Sequence, residues 1–214
     1  MTQGSVKKYE FQSEVKQLLN ILVYSLYKNK EVFIRELISN AVDALNKVQF
    51  EIMTNTEIED RDEELRIDIL FNEGQKKLII EDTGIGMTRK DLMGNIGTIA
   101  HSGTIDFLKK LSKSKQKEKV DLIGKFGVGF YSTFMAAKEV HIYTKYYKKG
   151  SPAYLWESTG DRDYTLEPTI KKKRGTRKYY RKRVFFVLDK EHMVILCSFC
   201  KKDRTPCSIP VRIT

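Results

Sequence analysis

Three short motifs in a fixed order contain the residue types that bind and hydrolyse nucleotides. They lie at Glu36–Asp43, Asp82–Gly86 and Gly124–Gly129. The first offers a carboxylate and an amide on one helix face, the second a carboxylate at a glycine turn, and the third a glycine loop. Such groups can activate water, ligate a metal, accept a hydrogen bond from a base and bind phosphate. Each motif alone is weak, so the interpretation depends on their combination.

The first motif lies on a predicted helix over Glu31–Thr54. At 100° per residue, four polar side chains fall within an arc of about 60°, opposite an apolar stripe: Glu36, Asn40, Asp43 and Lys47. A solvated face with one Asp43–Lys47 pair would also explain them. Asn is unfavourable inside a helix, whereas its carbonyl suits Mg²⁺ and a Glu one turn away can activate water. The pattern therefore indicates a metal ligand and a general base.

The second motif follows a predicted β-hairpin with its turn at Asn72–Gly74. Asp and Gly are common in tight turns, so Asp82–Gly86 could be a turn and nothing more. A functional interpretation is that Asp82 is held at a strand end and accepts a hydrogen bond from the exocyclic amine of adenine. Gly84 and Gly86 would then let a flat ring approach the backbone.

The third motif precedes an apolar helix, and backbone N–H groups at such a helix start can bind phosphate. A glycine loop needed only for packing remains the alternative. The loop fits neither the P-loop nor the dinucleotide-binding pattern. Between the second and third motifs, the segment Gly94–Val120 is polar, rich in Lys and interrupted by glycines. We predict that it is a mobile lid.

Charge and cysteine are distributed unevenly along the 214 residues. The net charge is +11, yet the stretch from Lys171 to Thr214 alone has 14 Lys or Arg and 3 Asp or Glu. The preceding residues are therefore neutral, which argues against a nucleic-acid-binding body. All three cysteines lie in the same tail, and reduced thiols are expected there. We see no secretory signal or membrane span and expect a cytoplasmic location.

With these motifs the chain resembles the N-terminal ATPase domain of the ninety-kilodalton heat-shock chaperones, within the gyrase–histidine-kinase–chaperone ATPase superfamily. The match runs from about residue 11 to residue 176, and its opening resembles the bacterial branch. Three segments are highly specific to the family: Asn29–Ala41, Asn95–Thr104 and Gly124–Ser132.

The resemblance implies an α+β fold, a two-layer sandwich of a mostly antiparallel twisted sheet with helices on one face and a mobile lid. Glu36 would be the general base and Asn40 the Mg²⁺ ligand. Asp82 would bind the adenine amine, with Thr176 helping through a shared water. The nucleotide-binding residues implied are Asn40, Asp43, Lys47, Asp82, Gly86, Met87, Asn95, Gly124, Phe126, Gly127, Val128, Gly129, Phe130 and Thr176.

The resemblance also implies ATP or ADP with Mg²⁺ as cofactors and client proteins as partners. In the family, ATP binding closes the lid and drives dimer contact and client remodelling. Full-length members are homodimers, and we expect this shorter chain to be monomeric, with neither membrane nor nucleic acid as a partner. The family takes a phosphate-contacting Arg from a middle domain that this chain is too short to contain, so we expect slow turnover.

The sequence departs from the family pattern in two ways. His101 stands where the family often has Lys, and Lys125 where Gln or Arg is usual. More strongly, the pattern stops after residue 176 and returns at Ile209–Val211. We therefore divide the chain into an ATP-binding domain, 1–176, and an atypical basic, cysteine-containing tail, 177–214. Our hypothesis is that residues 177–206 are translated out of frame between two compensating sequence errors.

Other interpretations remain open at this point. His192 and the three cysteines, Cys197, Cys200 and Cys207, could bind zinc, although a single C-x-x-C is a weak signal. The basic run Lys171–Arg183 could touch nucleic acid, as a non-enzymatic binding module. The ATPase module of a topoisomerase or histidine kinase would keep the fold and change the function.

Overall fold

The computed structural model describes residues 7–10, 31–72, 74–96, 130, 133–160, 163–181 and 210–213. Within these ranges the strands are β1 (Lys7–Glu10), β2 (Ile67–Asn72), β3 (Lys77–Asp82), β4 (Glu139–Lys145), β5 (Ala153–Ser158), β6 (Asp163–Thr169), β7 (Gly175–Arg181) and β8 (Val211–Ile213). The helices are α1 (Glu31–Thr54), α2 (Arg89–Asp91) with a π-helical turn at Leu92–Ile96, and α3 (Thr133–Ala136).

The eight strands form one sheet in the order β1-β6-β5-β4-β7-β3-β2-β8. Every neighbouring pair is antiparallel except β2 and β8, which run parallel. Helix α1 lies against β3 and β2. The predicted class, an α+β fold with a mostly antiparallel sheet and helices, is confirmed.

Helix α1 forms over the predicted range because its apolar residues recur at steps of three and four. All six members of this stripe are buried: Ile34, Leu37, Ile38, Ala41, Leu45 and Val48. Burying the stripe against the sheet stabilises the helix far more than its intrinsic propensity does. The polar edge of α1 is thereby fixed beside the ends of the central strands.

The central strands β3, β7 and β4 alternate between buried and accessible side chains, as strands with one core face do. Register places Asp82 opposite Thr176, and Thr176 opposite Thr144. Since paired residues in a sheet share a face, three polar side chains lie in a row on the core side. The sheet is therefore polar at the edge that faces the polar side of α1.

Strand β7 crosses residue 176, where the sequence suggested a domain boundary, and β8 lies beside β2. The division at 176 stays a prediction. The segments predicted as the glycine loop (124–129), most of the lid (97–120) and most of the tail (182–209) lie outside the described residues. In the described part of the chain, no helix is both long and apolar enough to cross a bilayer.

Candidate functional site

A cavity of about 440 Å³ opens between α1, the turn after β3, and β7. Its volume is within the range of small-molecule sites. Predicted site residues that line it are Glu36, Asn40, Asp43, Lys47, Asp82, Gly86, Met87, Phe130 and Thr176. The sheet and helix thus bring together residues up to 140 positions apart in the sequence. This arrangement supports the predicted roles.

The other predicted residues are not placed at the cavity by the structure. Asn95 belongs to the π-helical turn, and its side chain is not described. The remaining five lie outside the described ranges: Gly124, Phe126, Gly127, Val128 and Gly129. Their assignment as phosphate-binding residues stays a prediction.

The wall formed by α1 is hydrophilic. Glu36 is half-buried, whereas Asn40, Asp43 and Lys47 are exposed along the same edge. Magnesium in nucleotide sites takes one or two protein oxygens and keeps several waters. An accessible amide carbonyl suits that donor set, so Asn40 fits the ion that the family implies. The Glu36 carboxylate, one turn away, is placed to act on one of the ion's waters.

Asp82 is the most deeply buried acid of the site, with 2% of its surface exposed. Its Oδ1 accepts a hydrogen bond from the Gly84 N–H at 3.0 Å. Burial raises the pKa of the Asp82 carboxyl, whereas the Lys178 ammonium and the Gly84 N–H lower it. One carboxylate oxygen is therefore held by the turn, and the position of the group is fixed by the backbone.

The turn after Asp82 is fastened to α1 and β4. The Ile85 N–H donates to the Ala44 carbonyl at 3.0 Å, and the Met87 N–H donates to the Thr144 Oγ1 at 2.9 Å. A Cβ on Gly84 would lie 2.7 Å from the Ala44 Cβ. The expectation that this glycine admits a flat ring therefore needs correction, because its close neighbour is the helix.

Arg174 also holds the turn that follows Asp82. Its side chain is 1% exposed, and its Nε donates to the Glu59 carbonyl at 3.1 Å. Its guanidinium also donates to the carbonyl oxygens of Thr83 and Gly84, the residues directly after Asp82. A planar group with several donors can join separate backbone segments in this way. Arg174 thus ties the Asp82 turn to the connection after α1.

We expect Arg174→Met to lower the free energy of unfolding by about 2–4 kcal/mol, because buried carbonyls lose their donors. Urea denaturation followed by circular dichroism measures the change. Arg61→Met is the matched control, since the exposed Arg61 also donates to two backbone carbonyls. Arg61→Met should lower the free energy of unfolding by less than about 1 kcal/mol. Equal losses in both variants would contradict the anchoring role of Arg174.

A neighbouring ion-pair cluster makes stability depend on pH. Glu63 pairs with Lys173 and, at 2.6 Å, with Arg66, and these contacts lower the pKa of the Glu63 carboxyl below its ordinary value of 4.5. The stabilisation is therefore complete above that ordinary value and is lost as pH falls through the lower, folded-state pKa. We expect Glu63→Gln to flatten the acid side of the melting-temperature profile, whereas Glu57→Gln, an exposed control, should not.

Comparison with known proteins agrees with this geometry. Residues 27–174 match the family described as histidine kinase-, DNA gyrase B-, and HSP90-like ATPase. The chain belongs to this family. The matched range contains the polar edge of α1, the Asp82 turn and Arg174, and it ends just before β7. The predicted membership of this ATPase superfamily is thereby confirmed.

Several relatives in the family are bacterial chaperone proteins named HtpG. The chain is 50% identical over 169 residues to HtpG from Buchnera aphidicola subsp. Schizaphis graminum, covering 78% of this chain and 27% of the relative. It is 43% identical over 187 residues to HtpG from Chlorobium chlorochromatii, covering 87% of this chain and 29% of the relative. The chain therefore spans little more than a quarter of the length of these relatives.

The cavity has further lining residues that the sequence interpretation did not single out: Ala44, Ile85, Asp91, Ile96, Tyr146 and Lys178. Lys178 was detectable, because an extended segment places residues two apart on one face and Thr176 was already a candidate. Tyr146 and Ile96 carry no comparable signal. Their positions depend on how the end of β4 and the π-helical turn pack.

Proposed function

We propose that the cavity binds ATP and ADP and that this family member hydrolyses ATP there as part of a chaperone. The observation that carries the proposal is the common cavity of Asp82 and Asn40, which come from different elements. Asp82 suits the nucleotide base, and Asn40 suits a phosphate group that is bound to a metal ion. A site for a nucleotide requires both ends in one space of adequate volume.

The Asp82 end is suited to the base. The Gly84 N–H fixes one carboxylate oxygen at 3.0 Å, so the remaining acceptor capacity is available to an exocyclic amine. Thr176 lies opposite Asp82 in the sheet, and its Oγ1 is 3.0 Å from the Thr144 Oγ1. These hydroxyls provide a second, fixed polar group beside the carboxylate. We infer that the pair orients adenine, with Thr176 acting through a water.

The α1 end is suited to phosphate chemistry. Bound Mg²⁺ would supply charge neutralisation and orientation of the phosphates. Asn40 would contribute an oxygen ligand, and Glu36 would orient and deprotonate the attacking water. Asp43 and Lys47 would support this polar edge of the cavity. Gly124–Gly129 would add backbone donors from outside the described residues.

Because the chain is similar to these longer chaperones, we propose that it shares their activity. We infer that it assists the folding of client proteins, that lid closure over the nucleotide drives its action, and that it works in the cytoplasm. Longer family members act as homodimers, whereas we expect this chain to be a monomer. Stimulation of ATP hydrolysis by added DNA would instead indicate a topoisomerase-like role.

Isothermal titration calorimetry with ADP tests the proposal, with and without Mg²⁺. We expect one site per chain and tighter binding in the presence of the ion. A crystal grown with ADP should place the purine beside Asp82. A protein that is folded by circular dichroism and binds no ADP at millimolar concentration would contradict the proposal.

The tail also carries a proposal. We infer that residues 177–206 are read out of frame, since β7 places a lysine on the core face of a central strand, where charged residues are rare. The partial return of the family pattern coincides with β8, which pairs with β2. Resequencing the coding DNA tests this, and a clean read through the stretch would refute it. Metal analysis tests the zinc alternative, whose ligands lie outside the described residues.

A further inference from the structure

Thr144 is a buried residue that contacts two separate parts of the cavity wall from behind. It lies on the core face of β4, directly opposite Thr176 of β7, and its side chain is fully buried. Its Oγ1 accepts a hydrogen bond from the Met87 N–H at 2.9 Å and lies 3.0 Å from the Thr176 Oγ1. Met87 and Thr176 both line the cavity. The Thr144 hydroxyl therefore joins the turn after β3 to the cavity side of β7.

The direction of these hydrogen bonds follows from the acceptors within reach of the Thr144 hydroxyl. A buried hydroxyl group needs a hydrogen-bond partner, and the structure offers the Thr176 Oγ1 at 3.0 Å and the Gly175 carbonyl at 3.4 Å. An O–H···O bond is usually about 2.5–3.0 Å long, so Thr176 is the better acceptor. Since a hydroxyl can accept and donate at once, the Met87 N–H donates to Thr144, and Thr144 donates to Thr176.

This direction leaves the hydrogen of the Thr176 hydroxyl to point into the cavity, where the shared water inferred above needs a donor. An ionised carboxylate only accepts hydrogen bonds. The water would therefore donate one hydrogen to Asp82 and the other to the ring nitrogen beside the adenine amine. Its oxygen can then accept from Thr176. With the opposite direction, the Thr176 oxygen would be an acceptor, and the water would have no third hydrogen for it.

We propose that Thr144 is a positioning residue, which directs the Thr176 hydroxyl so that the shared water donates to the ring nitrogen of adenine. The proposal rests on the nucleotide site proposed above and adds a residue to it. Every residue that it uses precedes residue 177, where the segment inferred to be out of frame begins. The expected effect is that of one neutral hydrogen bond, about 3- to 10-fold in affinity.

The test is calorimetric titration of ADP and of its 1-deaza analogue, in which a C–H group replaces that ring nitrogen. The proteins are the wild-type chain, Thr144→Val, which keeps the shape of threonine without its hydroxyl, and Thr144→Ser, which keeps the hydroxyl. We expect the wild-type chain and Thr144→Ser to prefer ADP by about 3- to 10-fold. Thr144→Val should bind the two ligands equally, because its Thr176 hydroxyl is no longer directed.

Thr165→Val is the matched control, since it removes a threonine hydroxyl from the other face of the same sheet. Thr165 lies in β6 between the buried Tyr164 and Leu166, so its side chain is on the face away from the core. This variant should keep the wild-type preference for ADP. Circular dichroism shows whether each variant folds, and Thr144→Ala takes the place of Thr144→Val if the valine variant does not.

The outcomes separate the two proposals. If the folded wild-type chain binds neither ligand, the nucleotide site itself is refuted, and the role of Thr144 with it. If the wild-type chain binds ADP and the 1-deaza analogue equally, the role of Thr144 alone is refuted, whatever the variants do. A purely structural role would weaken both ligands by the same factor in Thr144→Val. An ADP preference that stays at the wild-type value in that variant would therefore refute the proposal as well.

Discussion

Asp82→Asn is expected to reduce ADP binding by at least about 100-fold, the loss expected when a charged acceptor is replaced by a mispaired group. The Gly84 N–H donates to the Asp82 Oδ1 at 3.0 Å. An asparagine would have to keep its carbonyl oxygen on that donor. Its NH₂ group would then face the base amine, and two donors would meet. The change therefore replaces an attraction by a repulsion without altering the size of the side chain.

Stability should not account for this loss. Burial raises the pKa of the Asp82 carboxyl, so ionisation of this group is less favourable in the folded state than in the unfolded chain. Its ionisation therefore lowers the free energy of unfolding as pH rises past the pKa that the carboxyl has in the unfolded chain. A neutral asparagine avoids that penalty, and the melting temperature should stay the same or rise. Asp62→Asn, an exposed acid in the connection after α1, is the matched control. ADP binding by Asp82→Asn that equals the control would contradict the assignment.

Glu36→Ala is expected to leave ADP affinity unchanged and to slow ATP hydrolysis by about 10²–10⁴-fold, as the loss of a general base does. Glu36 lines the cavity from α1, a half-buried carboxylate one turn from Asn40. A residue that activates water contributes to the transition state more than to nucleotide binding. Single-turnover hydrolysis with excess protein is the suitable measurement, because it reports the chemical step directly.

Binding and hydrolysis must be measured on the same preparations. Glu57→Ala removes an exposed carboxylate beyond the end of α1 and is expected to change neither. Equal loss of ADP binding in Glu36→Ala and Asp82→Asn would refute the division of roles between the two carboxylates. A Glu36→Ala protein that hydrolyses ATP at the wild-type rate would remove Glu36 as the base.

Local pattern explains how much of the fold was predictable. Helix α1 and the hairpin of β2 and β3 followed from periodicity and turn residues, which act over a few positions. The structure shows both of them. The ATPase family was predictable because its three motifs occur together and in a fixed order along the chain.

The sequence by itself determined which groups are available: the carboxylates at 36 and 82, the amide at 40 and the family to which they belong. Only the tertiary structure decided that Gly84 serves contact with Ala44, that Arg174 holds the Asp82 turn, and that Lys178 shares a cavity with Asp82. The physical reason is the range of the interactions. Periodicity and turn residues act between positions close in sequence. Packing joins Ile85 to Ala44 of α1 across 41 positions, and strand register joins Asp82 to Thr176 across 94.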